Sequence, residues 1–286
     1  MAKFKLIINV LLVGIIYAFY LVSPSNILAQ EDKSPYEKAY QDYLNQMAVY
    51  QKVHQDYILR KTQYESFKTL QAQQDAQVAT VAMMQERDEA VITYLKALKE
   101  RVNENPGLDS ATTADLNIRL DTQITWFTDH KANIPTAGTL KDLSKDSNEA
   151  FEGFRLSEPV FYKSLASISD GRYTDVTLRF NDRFTELKDK LTAIKGETRS
   201  EYMFSSEKIQ RLDRWVFDAE ARIDRAKEKQ VEARNLIALY GTANKAVKNL
   251  SGAYGAILFN LSEAQIYMKE AGGFLQEIIR TIKTDD

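Results

Sequence analysis

From Pro35 to Val102 the chain reads PYEKAYQDYLNQMAVYQKVHQDYILRKTQYESFKTLQAQQDAQVATVAMMQERDEAVITYLKALKERV. After Pro35 this stretch holds neither Gly nor Pro, and Ala, Gln, Glu, Lys, Leu and Met dominate it, all good helix formers. Ser34 is placed to cap it with Pro35 at the first helical position. Asn103-Glu104-Asn105-Pro106-Gly107 is a strong stop. The stretch predicts one helix over 35–102, about 65–70 residues and on the order of 100 Å long. Such a helix does not fit inside a compact globule. The fold class it predicts is all-α: an elongated antiparallel helical bundle, coiled-coil-like, with a very long first helix.

A heptad component runs through the stretch. Tyr36, Tyr43, Tyr50, Tyr57 and Tyr64 lie seven apart, with Tyr40, Met47 and His54 at the four-residue offsets. Phe67, Leu70, Val81, Met84, Val91, Leu95, Leu98 and Val102 continue an a/d-like seam that Gln74, Gln77 and Asp88 interrupt. A tyrosine at such spacing packs its ring and leaves its hydroxyl at the wet edge. The ladder therefore reads as a packing seam, and its five tyrosines are also the candidate interaction surface, since exposed stacked aromatics hold sugars or peptide.

Downstream, a helix over 110–131 presents Leu116, Leu120, Ile124 and Phe127 on one face, and 132–139 is a connecting loop. Helix is expected over 140–195 with breaks near Pro159 and at Asp170-Gly171, then over 200–240 and 242–283 after a stop at Gly196-Glu197-Thr198. Leu212, Val216, Ala219, Ile223, Ala226, Gln230, Ala233, Ile237 and Tyr240 alternate in steps of four and three. Leu250, Tyr254, Ile257, Leu261, Ala264, Met268, Ala271, Leu275, Ile278 and Ile282 do the same, one position out of phase. A kink at Gly241, or a turn with Thr242 capping a new helix, accounts for the shift. Val176 to Phe180 alternates as a strand would, but its helical flanks argue against one. Short loops at 103–108, 132–139 and 195–199 force reversals, so sequence neighbours pack antiparallel.

The chain has 286 residues with 38 Lys and Arg, 40 Asp and Glu, two His and no Cys. Without Cys there are no disulfides, thiolate metal sites or cysteine nucleophiles. A net charge of -2 gives no electrostatic case for a nucleic-acid partner. Lys3 and Lys5 precede an apolar run over 6–22, and a polar stretch ends at Ala29, a small residue suited to a cleavage position. Residues 1–29 are read as an export segment, either a cleaved signal peptide or an uncleaved N-terminal membrane anchor. Residues 30–286 then form an extracytoplasmic helical region: periplasmic, at the cell surface or secreted.

Chemistry is sparse. No ferritin-type Glu-x-x-His pair exists, because Gln51 precedes His54 and Phe127 precedes His130 at that offset. His54 reads as a seam or surface residue, and His130, beside Lys131, as a favourable charge at a helix C-terminus. Glu86, Asp88 and Glu89, with Arg87 among them, read as a solvated face. Trp126 and Trp215 read as core packing. Asn249-Leu250-Ser251 and Asn260-Leu261-Ser262 match the glycosylation acceptor pattern inside helix and are given no role. Phosphate loops, nucleophile elbows and metalloprotease motifs are absent. No catalytic residue, cofactor or metal is expected. The expected function is a non-enzymatic scaffold or interaction protein of the cell envelope that engages a protein partner or itself through helical seams. The alternative is an extracytoplasmic bundle holding a small molecule or peptide between helices.

Overall fold

Among residues 33–196, 204–240 and 249–284, which the computed structural model describes, 92% are helical, in six α-helices with no strand. These are α1 (Pro35–Phe67), α2 (Leu70–Asn103), α3 (Ser110–Asn133), α4 (Leu140–Lys195), α5 (Ser206–Leu239) and α6 (Leu250–Lys283), with a 3-10 turn at Ile134–Thr136. The export segment over 1–29, the stop at Glu197-Thr198 and the phase change at Gly241-Thr242 lie outside the described residues. Helix starts follow side-chain chemistry. Thr69, Asp109, Thr139, Ser205 and Asn249 precede α2 to α6, and each accepts the backbone N–H three residues on. Asn249 is thereby a cap.

The single helix expected over 35–102 is corrected: it is a hairpin. Lys68 takes a left-handed conformation (φ 49°) between α1 and α2, and Thr69 caps the return. Neither Gly nor Pro marks the turn. A left-handed non-glycine residue costs about 1–2 kcal/mol, which the hairpin repays by closing the tyrosine seam on itself. Tyr36 N–H donates to Glu104 Oε1 at 2.8 Å, the Tyr43 and Tyr94 rings lie 5.4 Å apart, and Gln46 Nε2 donates to Glu86 Oε2 at 2.6 Å. Near the tip Arg60 pairs with Asp75 at 3.7 Å. Lys68→Gly should therefore stabilise the protein, by about 0.5–1 kcal/mol. A denaturant midpoint that falls or stays fixed would contradict the turn.

The breaks expected near 159 and 171 are also corrected. Helix α4 runs unbroken for 56 residues with Pro159 inside it, about 84 Å of helix at 1.5 Å per residue. An internal proline costs about 3 kcal/mol, but buried Phe154 and Phe161 flank it and each contributes about 1.5–3 kcal/mol. Gly171 is a thin place in the helix where the α2–α3 loop lies against it. A Cβ on Gly107 would fall 1.7 Å from the Gly171 carbonyl oxygen, and Asn105 Nδ2 donates to the Ile168 carbonyl at 2.8 Å.

Helix α4 belongs to two cores. Its N-terminal half packs beside α2 and α3, whose Leu95, Val102, Leu116, Leu120 and Phe127 are buried. Its C-terminal half contributes Ala166, Tyr173 and Phe184 to a cluster with Ala219, Ile223, Ala226 and Ala233 of α5 and Ile257, Leu261, Ala264 and Met268 of α6. Successive helices are antiparallel: Lys99 meets Asp121, Lys163 meets Asp115, Lys188 meets Glu220 and Arg222 meets Glu270. The α5 and α6 seams lie where their spacing puts them. Leu261 and Ile278 are buried, and Leu275 packs half-buried beside them.

Candidate functional site

The five tyrosines of the ladder line the face of α1 that meets α2. Tyr43 and Tyr50 are buried, while Tyr36, Tyr57 and Tyr64 are half-buried along the same edge. Tyr36 stacks on Tyr40 at 5.7 Å beneath the Arg101 guanidinium, and His54 sits between Tyr50 and Tyr57 at 5.6 and 5.9 Å. Burial pushes the Tyr43 phenol up to about 12, and it raises Tyr50 against the opposing charge of Arg87. Most of what each ring contributes is covered apolar area, which phenylalanine also covers. Tyr43→Phe and Tyr50→Phe should therefore each shift stability by less than about 1 kcal/mol in thermal melts.

The most concentrated chemistry lies elsewhere, in residues the sequence places apart. Asp88 is 0% exposed, which corrects its expected place on a solvated face. Its Oδ1 accepts from Arg87 Nε at 3.0 Å and lies 2.9 Å from Arg87 Nη2 in the same ion pair, and its Oδ2 lies 2.5 Å from His130 Nδ1. His130, 8% exposed, directs Nε2 at the Asp146 carbonyl 3.0 Å away. A carbonyl only accepts, so Nε2 carries a proton, and Nδ1 donates to a carboxylate already holding a guanidinium. In its protonated form the imidazole spends both N–H groups on these two acceptors. Burial alone would lower its pKa, but the Asp88 hydrogen bond and charge outweigh burial and hold it above the usual histidine value. Trp126 stacks on the ring at 5.2 Å, and its indole fills the space where Gly153 lacks a side chain. Both ring nitrogens are engaged within the chain, by Asp88 and by the Asp146 carbonyl.

Glu86 and Glu89 stay nearer the surface, accepting from Gln46 and from Lys131 Nζ at 2.9 Å. The sequence did carry a signal for the buried pair. Asp88 interrupts an apolar seam, and His130 falls three residues after Phe127 on the face of Leu116 and Leu120. A charge on a seam is a partner-seeking charge.

Two further polar nodes tie α4 to its neighbours. Asp170 accepts from Gln230 Nε2 at 2.8 Å and Arg234 Nε at 2.9 Å, and Thr174 accepts from the same two side chains. Near the middle of α4, Tyr162 contacts Tyr240 and Tyr254 at 6.3 and 5.6 Å, and Tyr240 Oη donates to the Leu250 carbonyl. The buried Tyr94 hydroxyl lies near this group, raised by burial first and by the surrounding phenols second, with no hydrogen-bond partner among the described residues. Trp126 and Trp215 are both half-buried, and Trp215 stacks on Phe274 at 5.7 Å.

A shallow groove of about 540 Å³ lies between α2 and the α3–α4 connection, lined by Gln74, Gln77, Val78, Val81, Pro135 and Ala137. It contains no acid, base or nucleophile. Among the described residues no group of three His, Asp or Glu could hold a metal ion, and no helix is long and apolar enough to cross a membrane. Comparison with protein-family models, curated proteins and solved structures gave no match.

Proposed function

We propose that this chain is an exported, non-enzymatic scaffold or interaction protein of the cell envelope, working through the outer faces of its helices. The supporting observation is where the apolar side chains lie. Helix α1 packs chiefly on α2, and Leu44, Val49, Ile58 and Leu59 on its outer side, with Phe67 and Leu70 at the hairpin tip, stay exposed. The interior charges, by contrast, are spent on one another. Export is inferred from Lys3, Lys5 and the apolar run over 6–22, ending in cleavage after Ala29 or in retention as an anchor.

The test is capture from the native envelope with the full chain and with a Phe67→Ser, Leu70→Ser variant. A partner retained by the first and lost by the second supports the reading. Retention of the same proteins by both would sink it.

The buried Tyr94 hydroxyl favours a second reading, a bundle holding a small polar ligand beside Tyr162 and Tyr254. Native mass spectrometry of the chain isolated from its own envelope distinguishes the two. A bound small molecule lost in Tyr94→Phe would favour the ligand bundle.

A further inference from the structure

We propose that the outer face of α6 is where two copies of this chain pair, antiparallel, with Phe259 of each copy against Ile266 of the other. The pairing names one partner for the scaffold reading above and rests on it. From Leu250 to Ser262 helix α6 has no charged residue. Its inner face is fully used, with Ile257, Leu261, Ala264, Met268, Ala271 and Ile278 buried. Its outer face is not. Phe259 is 62% and Ile266 56% exposed, and a Cβ added at Gly255 or Gly273 would meet nothing within 4 Å.

The order of residues on this face specifies the occupant. Gly252, Phe259, Ile266 and Gly273 recur every seven residues, all exposed. The series is symmetric about the Ser262–Glu263 bond: small, large, large, small. A two-fold axis there sets Gly252 opposite Gly273 of the second copy and Phe259 opposite Ile266. The large side chains then interdigitate in the centre, as an isologous contact requires, and each end closes with the open Gly273 backbone against the Asn249 amide that covers Gly252.

Charge selects the direction. Glu263 and Glu270 are paired within the chain, with Lys229 and Arg222, and a parallel pair would set Lys269 beside Lys269 of the second copy, which is repulsive. The antiparallel pair sets Glu263 beside Ser262, Lys269 beside Ala256 and Glu270 beside Gly255. The contact runs along about 30 Å of helix. With two large apolar side chains from each copy it covers on the order of 1,000 Å² in total, the low end for specific complexes. The pair is therefore weak and reversible.

Sedimentation velocity of the full chain from about 1 to 200 µM, a range suited to weak association, should show monomer converting to dimer. Ile266→Glu and Ile266→Ser should each weaken association at least tenfold with unchanged thermal melts, because the side chain is exposed. The chain has no Cys, so single cysteines report orientation. Mixing Phe259→Cys with Ile266→Cys under oxidation should give the mixed disulfide dimer in excess over either homodimer. A wild type that stays monomeric, a dimer that survives Ile266→Glu, or a dominant Phe259→Cys homodimer would each overturn the pairing. None of these outcomes touches the envelope capture through the α1–α2 tip, so the two readings fail separately.

Discussion

Asp88→Ala should destabilise the protein by about 3–5 kcal/mol, the cost of leaving buried cations without their counter-charge. Asp88 is fully buried, and Arg87 and His130 both point at it. Removing it strands a guanidinium and an imidazolium in the α2–α3 interface. Glu89→Ala, one residue along, breaks only the partly exposed pair with Lys131 and should cost less than about 1 kcal/mol. Urea melts of the two variants check the contrast, and equal small losses would contradict the buried network.

The same network gives a pH dependence with a definite sign. The folded pKa of His130 is raised, so its contribution is complete below the ordinary histidine value of about 6.5 and is lost as pH rises through the folded value. Between about pH 6 and pH 9, a range spanning that loss, wild type should lose more stability than His130→Gln, which keeps a neutral donor at the site. Parallel slopes would mean the ring is neutral throughout.

In the second core, Leu261→Ala and Ile257→Ala should each cost about 2–5 kcal/mol. Both side chains are buried between α4, α5 and α6, where neighbouring helices cannot collapse far enough to fill the space. Phe259→Ala, on the opposite side of the same helix, should change stability by less than about 0.5 kcal/mol when measured at low protein concentration. A large loss at Phe259 would mean that its ring is covered within the chain.

The α5 and α6 seams were legible because the residues that repeat are the residues that bury. Ala219, Ile223, Ala226 and Ala233 face Ile257, Leu261, Ala264 and Met268, Leu212 packs with Ile278, and periodicity needs nothing else to show it. The hairpin at Lys68 was hidden, since its turn uses a lysine in a left-handed conformation and a threonine cap, neither of which interrupts helix propensity. Pro159 and Gly171 misled in the other direction. Local propensity counts them as breakers, whereas two cores gripping α4 on either side outweigh the local cost. Asp88 and His130 lie 42 residues apart, and only the α2–α3 reversal brings them together. Their positions on apolar faces were visible, but their identity as a pair was not.

The unbroken α4 also decides how this protein can come apart. Most chains of this length divide into domains at a linker, where one core ends before the next begins. Here the boundary between cores falls inside a helix, so neither core can be cut free without fraying the end of an element the other needs. Melting one core strips α4 of half its packing and lowers the stability of the rest, which ties the two into one cooperative transition. The same continuity makes α4 a lever. A force or a partner that rotates the helix at Leu143 turns Leu191 with it, some 70 Å away along the axis at 1.5 Å per residue.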